Sequence, residues 1–298
     1  LSDLYLKRRL AEKLAVSTSQ LTLGNGSNEI LELLARGFLG QQHNAIIAEH
    51  AFVVYQLVIT AQNATALTVP ASSWGHDLPA MAAAVNEHTR LLFIANPNNP
   101  TGTWFSAAAL EQFLAAVPEH VLVVLDEAYI EYADDGELPD GLAFLNSHSN
   151  LLVSRTFSKA YGLAALRVGY AICSAQIADV LNRVRQPFNV NSLAQAAACA
   201  ALDDNEYLTR SRASNAAGMQ QLEAGFKELG LEWIPSKGNF IAVDFGRDAA
   251  PINQVLLRDG VIVRPVAVYG MPTFLRVSIG TGAENERFLE VLRKALGR

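Results

Sequence analysis

Residues 151–172 read LLVSRTFSKAYGLAALRVGYAI. Two apolar runs, 151–154 and 168–172, flank a loop that carries Arg155, Lys159 and Arg167 among hydroxyls and a glycine. Runs this short and this nearly continuous predict strands buried on both faces, in contrast to the alternation of a half-solvated sheet. The same pattern stands upstream at 45–48, 65–69, 91–95 and 121–125, with helical stretches between. An α/β fold follows: a mainly parallel sheet covered by helices, with ligands at the loops beyond the strand C-terminal ends.

After Gln195 the pattern turns helical, through an alanine-rich run and a long segment over 205–229. Strands are expected at 240–245, 261–263 and 275–279, with helices near 252–258 and 284–296, which makes a smaller C-terminal α+β domain. The expected division is 1–20 as an N-terminal helix packed with the small domain, 21–204 as the large ligand-binding domain and 205–298 as the small one. The boundary near residue 204 is expected inside a helix. No repeat or low-complexity segment interrupts the chain.

The 298 residues carry a net charge of −6, with acidic and basic residues interspersed, which argues against nucleic acid as a partner. Half of the residues are hydrophobic, but the apolar runs are too short for a membrane span. Cys173 and Cys199 show neither CxxC spacing nor a neighbouring histidine cluster, so neither a metal site nor a disulfide is indicated, and a reducing cytoplasm is expected. No signal peptide opens the chain. It begins at Leu1 in a stretch, 3–14, that already reads as an amphipathic helix, so the expectation is that a natural N-terminal arm is missing.

Five segments at strand ends or helix starts each offer part of one site. Lys159 follows an apolar strand and is flanked by hydroxyls and glycine; partial desolvation there lowers an amine's pKa and makes it imine-forming. Arg167, on the return strand, can fork onto phosphate oxygens together with Thr156 and Ser158. Asp126 ends the run VLVVLD, where keeping a carboxylate ionised requires a cationic partner such as a protonated pyridine nitrogen. Tyr129 is placed to donate to a phenolic oxygen on the same ring.

Gly24-Asn25-Gly26-Ser27-Asn28 opens a helix, with Ser27 as the expected N-cap and the first-turn N–H groups available to a phosphate. Asn99, in the rigid turn Asn96-Pro97-Asn98-Asn99-Pro100-Thr101-Gly102, offers an uncharged amide. Phe52 offers a ring face. Taken singly, each has a bland alternative: a surface lysine, a structural salt-bridge arginine, a capped helix without ligand, a plain turn or a core phenylalanine. Asp126-Glu127 also reads as a magnesium-holding pair, although no GxxxxGK[ST] loop accompanies it, and no G-x-G-x-x-G supports a nucleotide fold.

The stretches GNGSNEILELL, ANPNNPTG, VVLDEAYIEY and SRTFSKAYGLAALRVGY together resemble the fold-type I pyridoxal-phosphate aminotransferases, and within them the histidinol-phosphate aminotransferase family. The resemblance runs over essentially the whole chain. It implies a mainly parallel sheet of the seven-stranded type and pyridoxal 5′-phosphate as cofactor. It also implies an amino donor and a 2-oxo acid as small-molecule partners, and a homodimer. By the same resemblance Lys159 holds the cofactor and shuttles the proton, and Asp126 pairs with the pyridinium. Asn99 and Tyr129 contact the ring oxygen, Phe52 stacks, and Ser27, Asn28, Thr156, Ser158 and Arg167 hold the phosphate.

In VIVRPV and TFLRVSIG, Arg264 and Arg276 stand where the family has substrate-binding arginines; either alone also reads as a surface ion pair. The family match favours L-histidinol phosphate and 2-oxoglutarate, in histidine biosynthesis. Aromatic amino acid aminotransferases and threonine-phosphate decarboxylases share the cofactor shell, and a non-catalytic cofactor-binding module is the reading from a different class. Phe52 and Ala165 depart from the tyrosine and glycine usual at those places. Family members also carry an N-terminal arm whose tyrosine reaches the neighbouring subunit's cofactor phosphate.

Overall fold

Strands β1 (Leu21–Asn25), β2 (Asn44–Ala48), β3 (Thr65–Val69), β4 (Thr89–Ala95), β5 (Leu122–Asp126), β6 (Leu151–Thr156) and β7 (Val168–Ile172) form one seven-stranded sheet in the order β1-β7-β6-β5-β4-β2-β3. The computed structural model describes residues 3–133, 136 and 138–297. Strands β2 to β6 pair in parallel, and β7 runs antiparallel to both β6 and β1. β2, β5, β6 and β7 are buried at every residue, as continuous apolar runs between two helical layers should be. The parallel β4, β5 and β6 all end toward one edge of the sheet, which brings the turn after Ala95, Asp126 and the loop after Thr156 together.

A second, antiparallel sheet has the order β10-β11-β9-β8, built from β8 (Glu232–Ile234), β9 (Phe240–Asp244), β10 (Arg264–Pro265) and β11 (Phe274–Ser278). Side-chain alternation divides its two faces. Ile241, Val243, Leu275 and Val277 join Leu222, Phe226, Leu256 and Phe288 in a core under the helices. Ala242 and Phe274 belong to a separate apolar group with Ile234, Val266, Tyr269 and Met271. That second group faces the large sheet's domain, where Phe274 meets Trp74 edge-on at 4.9 Å between ring centroids.

Four expectations are corrected. The N-terminal helix Asp3–Leu14 packs chiefly against helix Ser192–Asp203 and β1 of the large domain. Leu6 and Leu10, one turn apart, are fully buried in the large core, and Arg9 reaches Asp203 at 2.5 Å. The chain at residue 204 is a junction rather than a helix interior: Asp204 ends one helix and caps the next, Asn205–Glu228, accepting from the Tyr207 N–H at 2.9 Å. Residues 261–263 lie outside the ladder, which begins at Arg264. Ser27 is the first helical residue and Gly26 the N-cap, with no side chain capping the helix. Strands β1 and β8, each at a sheet edge with one partner, were not expected from the pattern. No helix among the described residues is long and apolar enough to cross a membrane.

Candidate functional site

Every residue expected to hold the cofactor or the substrate lines one cavity of about 330 Å³, between the edge of the large sheet and the small domain. β5 delivers Asp126, the following turn Tyr129, and β6 delivers Thr156 and then Ser158 and Lys159. Phe52 and Tyr55 come from the start of helix Val53–Ala61, Asn99 from the Asn/Pro turn, and Arg264 and Arg276 from opposed positions of β10 and β11.

The helix Ser27–Phe38 meets β7 at unusually close range. A Cβ on Gly169 would stand 2.3 Å from the Ser27 backbone nitrogen, so only glycine admits the helix start here. Gly26, at φ 74°, leaves no room either: its Cβ would lie 2.4 Å from an Arg167 guanidinium nitrogen. The helix therefore presents uncapped first-turn N–H groups beside a cation, a combination that attracts a phosphate. Arg167 stands just before β7 in the left-handed region, φ 56° and ψ 67°, rather than on the strand as expected. Its guanidinium donates to the Ala164 carbonyl at 3.1 Å and to Ser158 Oγ at 3.4 Å, and the Ser158 N–H donates to Thr156 Oγ1 at 3.1 Å.

Asp126 is buried, and its carboxylate is only half satisfied. Oδ2 accepts from Tyr55 Oη at 2.8 Å, while Oδ1 is buried with no hydrogen-bond partner. Burial pushes its pKa up to about 6, against the opposing hydrogen bonds of Tyr55 and the Ala128 backbone and the charge of Lys159. Tyr55, not singled out in the sequence, is a member of the site. The signal was its position three residues after Phe52, on the same helix face. It stacks on Phe93 at 4.9 Å and meets Phe52 edge-on at 5.8 Å.

Lys159 lies across the cavity with Nζ 5.2 Å from the Tyr129 ring centroid. Its pKa is lowered, first by burial and then by Arg276 and Arg167, against the pull of Asp126. Burial holds the Tyr129 phenol protonated, well above its ordinary range. Arg276 Nη1 donates to Asn99 Oδ1, and the guanidinium carbon sits 4.8 Å over the Phe240 ring; its Nε is buried without a partner. Asn99 thus ties the large domain's turn to a small-domain arginine. Tyr269 also lines the cavity, and its carbonyl oxygen lies 2.6 Å from His50 Nδ1.

Glu127 does not join Asp126 in the cavity. It is fully buried against Arg155 at 2.7 Å, and its Oε1 accepts the Gly141 N–H at 2.7 Å. The two carboxylates diverge, which removes the reading of a paired magnesium site.

A buried acid with one unpartnered oxygen, a desolvated lysine and an uncapped helix start beside Arg167 thus converge on one space. The family model for aminotransferase class I and II matches residues 3–292. The chain belongs to this family. Among its relatives, histidinol-phosphate aminotransferase 2 of Pseudomonas fluorescens (strain Pf0-1) is 69% identical over 293 residues, 98% of this chain and 79% of that protein. Histidinol-phosphate aminotransferase 2 of Pseudomonas aeruginosa is 68% identical over 291 residues, again 98% of this chain and 79% of that protein. Among solved structures, histidinol-phosphate aminotransferase from Sinorhizobium meliloti, in complex with pyridoxal-5′-phosphate, superposes with a TM-score of 0.93 at 31% identity, covering 98% of this chain and 81% of that one. For an aminotransferase of this class, the five separate segments read from the sequence belong to a single cavity whose walls both domains supply.

Proposed function

We propose that the chain is a pyridoxal-5′-phosphate-dependent aminotransferase that takes its amino group from L-histidinol phosphate and passes it to 2-oxoglutarate, in histidine biosynthesis. The observation that carries the reading is Asp126 Oδ1, a buried acceptor with no partner, on a residue that lines the same cavity as a lysine whose charge is disfavoured. A protonated ring nitrogen satisfies that oxygen, and the uncapped helix start with Arg167, Thr156 and Ser158 suits a phosphate. The residues fit the cofactor.

When bound, pyridoxal 5′-phosphate supplies an electron-accepting ring and an aldehyde carbon. Asp126 holds the proton on the ring nitrogen, and Tyr55 holds Asp126 in place. Asn99 and Tyr129 would hold the ring oxygen, and Phe52 would cover the ring face. Lys159 would tether the cofactor, and its neutral amine would be the base that takes the proton from the donor's α-carbon. Arg276 and Arg264, opposed across β10 and β11, bind the substrate's phosphate in one half-reaction and a carboxylate in the other.

The test is turnover of histidinol phosphate, phenylalanine and threonine phosphate on one purified sample loaded with cofactor. Histidinol phosphate is expected to be preferred; preference for phenylalanine transfers the reading to an aromatic aminotransferase, and carbon dioxide release from threonine phosphate to a decarboxylase. A homodimer in the cytoplasm belongs to the same proposal. Phe188 and Leu193, 91% and 76% exposed, favour a second copy as their cover. Sedimentation that finds an active monomer refutes the dimer.

A further inference from the structure

A second cavity, about 610 Å³, opens on the seam between the two domains and shares no lining residue with the first. Trp74, Trp104 and Trp233, the chain's three tryptophans, line it, although Trp233 turns its indole to the small-domain core, 6.0 Å from the Phe226 ring. Trp74 and Trp104 remain 38% and 36% exposed. Trp74 is held there by a strained turn. Ser72 and Gly75 exchange backbone hydrogen bonds at 3.1 and 2.9 Å, and between them Ser73 and Trp74 both adopt positive φ, 48° and 66°. Such a turn ordinarily takes Asn-Gly, and a tryptophan in it marks a conformation that the surroundings enforce. The turn seats the indole 5.1 Å from the His50 ring and 4.9 Å from Phe274.

Two acids complete the wall. Glu232 and Asp244 line the cavity and stand directly opposite each other on β8 and β9. Like charges so placed repel, and neither is in an ion pair with another described residue. His76 adds no positive charge: burial pushes its pKa down to about 4, and its Nε2 accepts the Ala95 N–H at 3.0 Å. Lys237 Nζ lies 5.1 Å over the Trp104 ring but is not part of the lining, so one indole already receives a cation on its face.

We propose that this seam cavity binds a small organic cation with a planar ring, set against the indoles of Trp74 and Trp104 with its charge toward Glu232 and Asp244. Indole faces attract cations through the ring quadrupole, more strongly when water is displaced, and the carboxylates add direct attraction. The large domain supplies Trp74 and Trp104, and the small domain Trp233, Glu232 and Asp244. An occupant therefore bridges the two. This site is independent of the Lys159 cavity and of the reading given to it.

Phenyltrimethylammonium is the probe, because its quaternary nitrogen forms no bond with an aldehyde or with Lys159. Intrinsic fluorescence reports occupancy directly, since all three tryptophans line the cavity. A saturable change is expected with the cofactor-loaded protein, and none with benzenesulfonate, a planar anion of similar size. Glu232→Gln, at an exposed position, is expected to raise Kd about threefold, and Glu232→Gln with Asp244→Asn about tenfold. No saturable change, equal binding of benzenesulfonate, or an unaltered Kd in both variants overturns the proposal.

Discussion

Tyr55 Oη donates to Asp126 Oδ2 at 2.8 Å and leaves Oδ1 of the same buried carboxylate without a partner. The pair holds the acid at the end of β5, beside the cavity, with one oxygen fixed and the other without a partner. Burial raises its pKa from 3.8 to about 6, so the folded, cofactor-free protein binds that proton more tightly than the unfolded chain. The corresponding stability is complete below the unfolded value and lost as pH rises through about 6. Asp126→Asn is therefore expected to leave the cofactor-free protein little changed near pH 3.5. At pH 7 it should stabilise the protein, on the order of 3 kcal/mol at most. Thermal melts of the two proteins across this range check it; a variant no more stable than wild type at pH 7 sinks the argument.

The same geometry sets the cost of losing activity. Lys159→Ala is expected to abolish the visible absorbance of bound cofactor and to lower turnover on the order of 10⁴-fold. Because burial and Arg276 lower the Lys159 pKa, the wild-type amine is neutral in a larger fraction of molecules than a free lysine. The rate of cofactor attachment should rise with pH and level off below the usual lysine range. A plateau only near pH 10.5 would show an unperturbed amine.

Gly169 tests the phosphate cradle. Its Cβ would meet the Ser27 backbone nitrogen, which no rotamer change can move, so Gly169→Ala must shift the helix start. Cofactor affinity is expected to fall at least about tenfold. Gly246→Ala is the control, with φ 62° but open space around it, and should cost backbone strain alone. Equal cofactor affinity in both variants would place the phosphate elsewhere.

Arg276 tests substrate binding. Its side chain donates to a neutral amide, that of Asn99, so the charge is available to a ligand anion. Arg276→Ala is expected to raise KM about a hundredfold, and Arg276→Lys to restore little, since the planar fork is lost. Arg264→Ala, at an exposed position, should have the smaller effect. Saturation kinetics in both substrates distinguish these outcomes.

Glu127 and Arg155 join the ends of β5 and β6 behind the site, one residue from Asp126 and one from Thr156. Arg155→Met leaves the fully buried Glu127 without its cation and is expected to destabilise the fold by about 3–5 kcal/mol. Chemical denaturation measures it; a loss under about 1 kcal/mol would mean that Glu127 takes up a proton instead.

The buried strands were legible because a strand covered on both faces is mostly apolar, as β2, β4, β5, β6 and β7 are, while β3, at the sheet edge and largely uncovered, was found from its β-branched residues. β1 escaped because its last residues, Gly24 and Asn25, read as the turn they lead into, and β8 because Glu232-Trp233-Ile234 is too short to show a period. Tyr55 was hidden in an apolar helix whose pattern does not distinguish a core ring from one that holds an acid. Ser27 was read as a cap because its hydroxyl suits that role, but Gly26, at positive φ, takes the position that ends the turn.

Taken alone, the chain's residue order determined the α/β class, the strand ends at which the cavity forms and most of the groups that line it, because apolar periodicity and motif spacing are local properties. Tertiary structure decided which oxygen of Asp126 is held and which is left without a partner, that Asn99 meets Arg276 across the domains, that the first helix buries Leu6 and Leu10 in the large core, and that three tryptophans far apart in sequence share one cavity. Those outcomes depend on which surfaces meet when two domains pack, and no local pattern encodes such a contact.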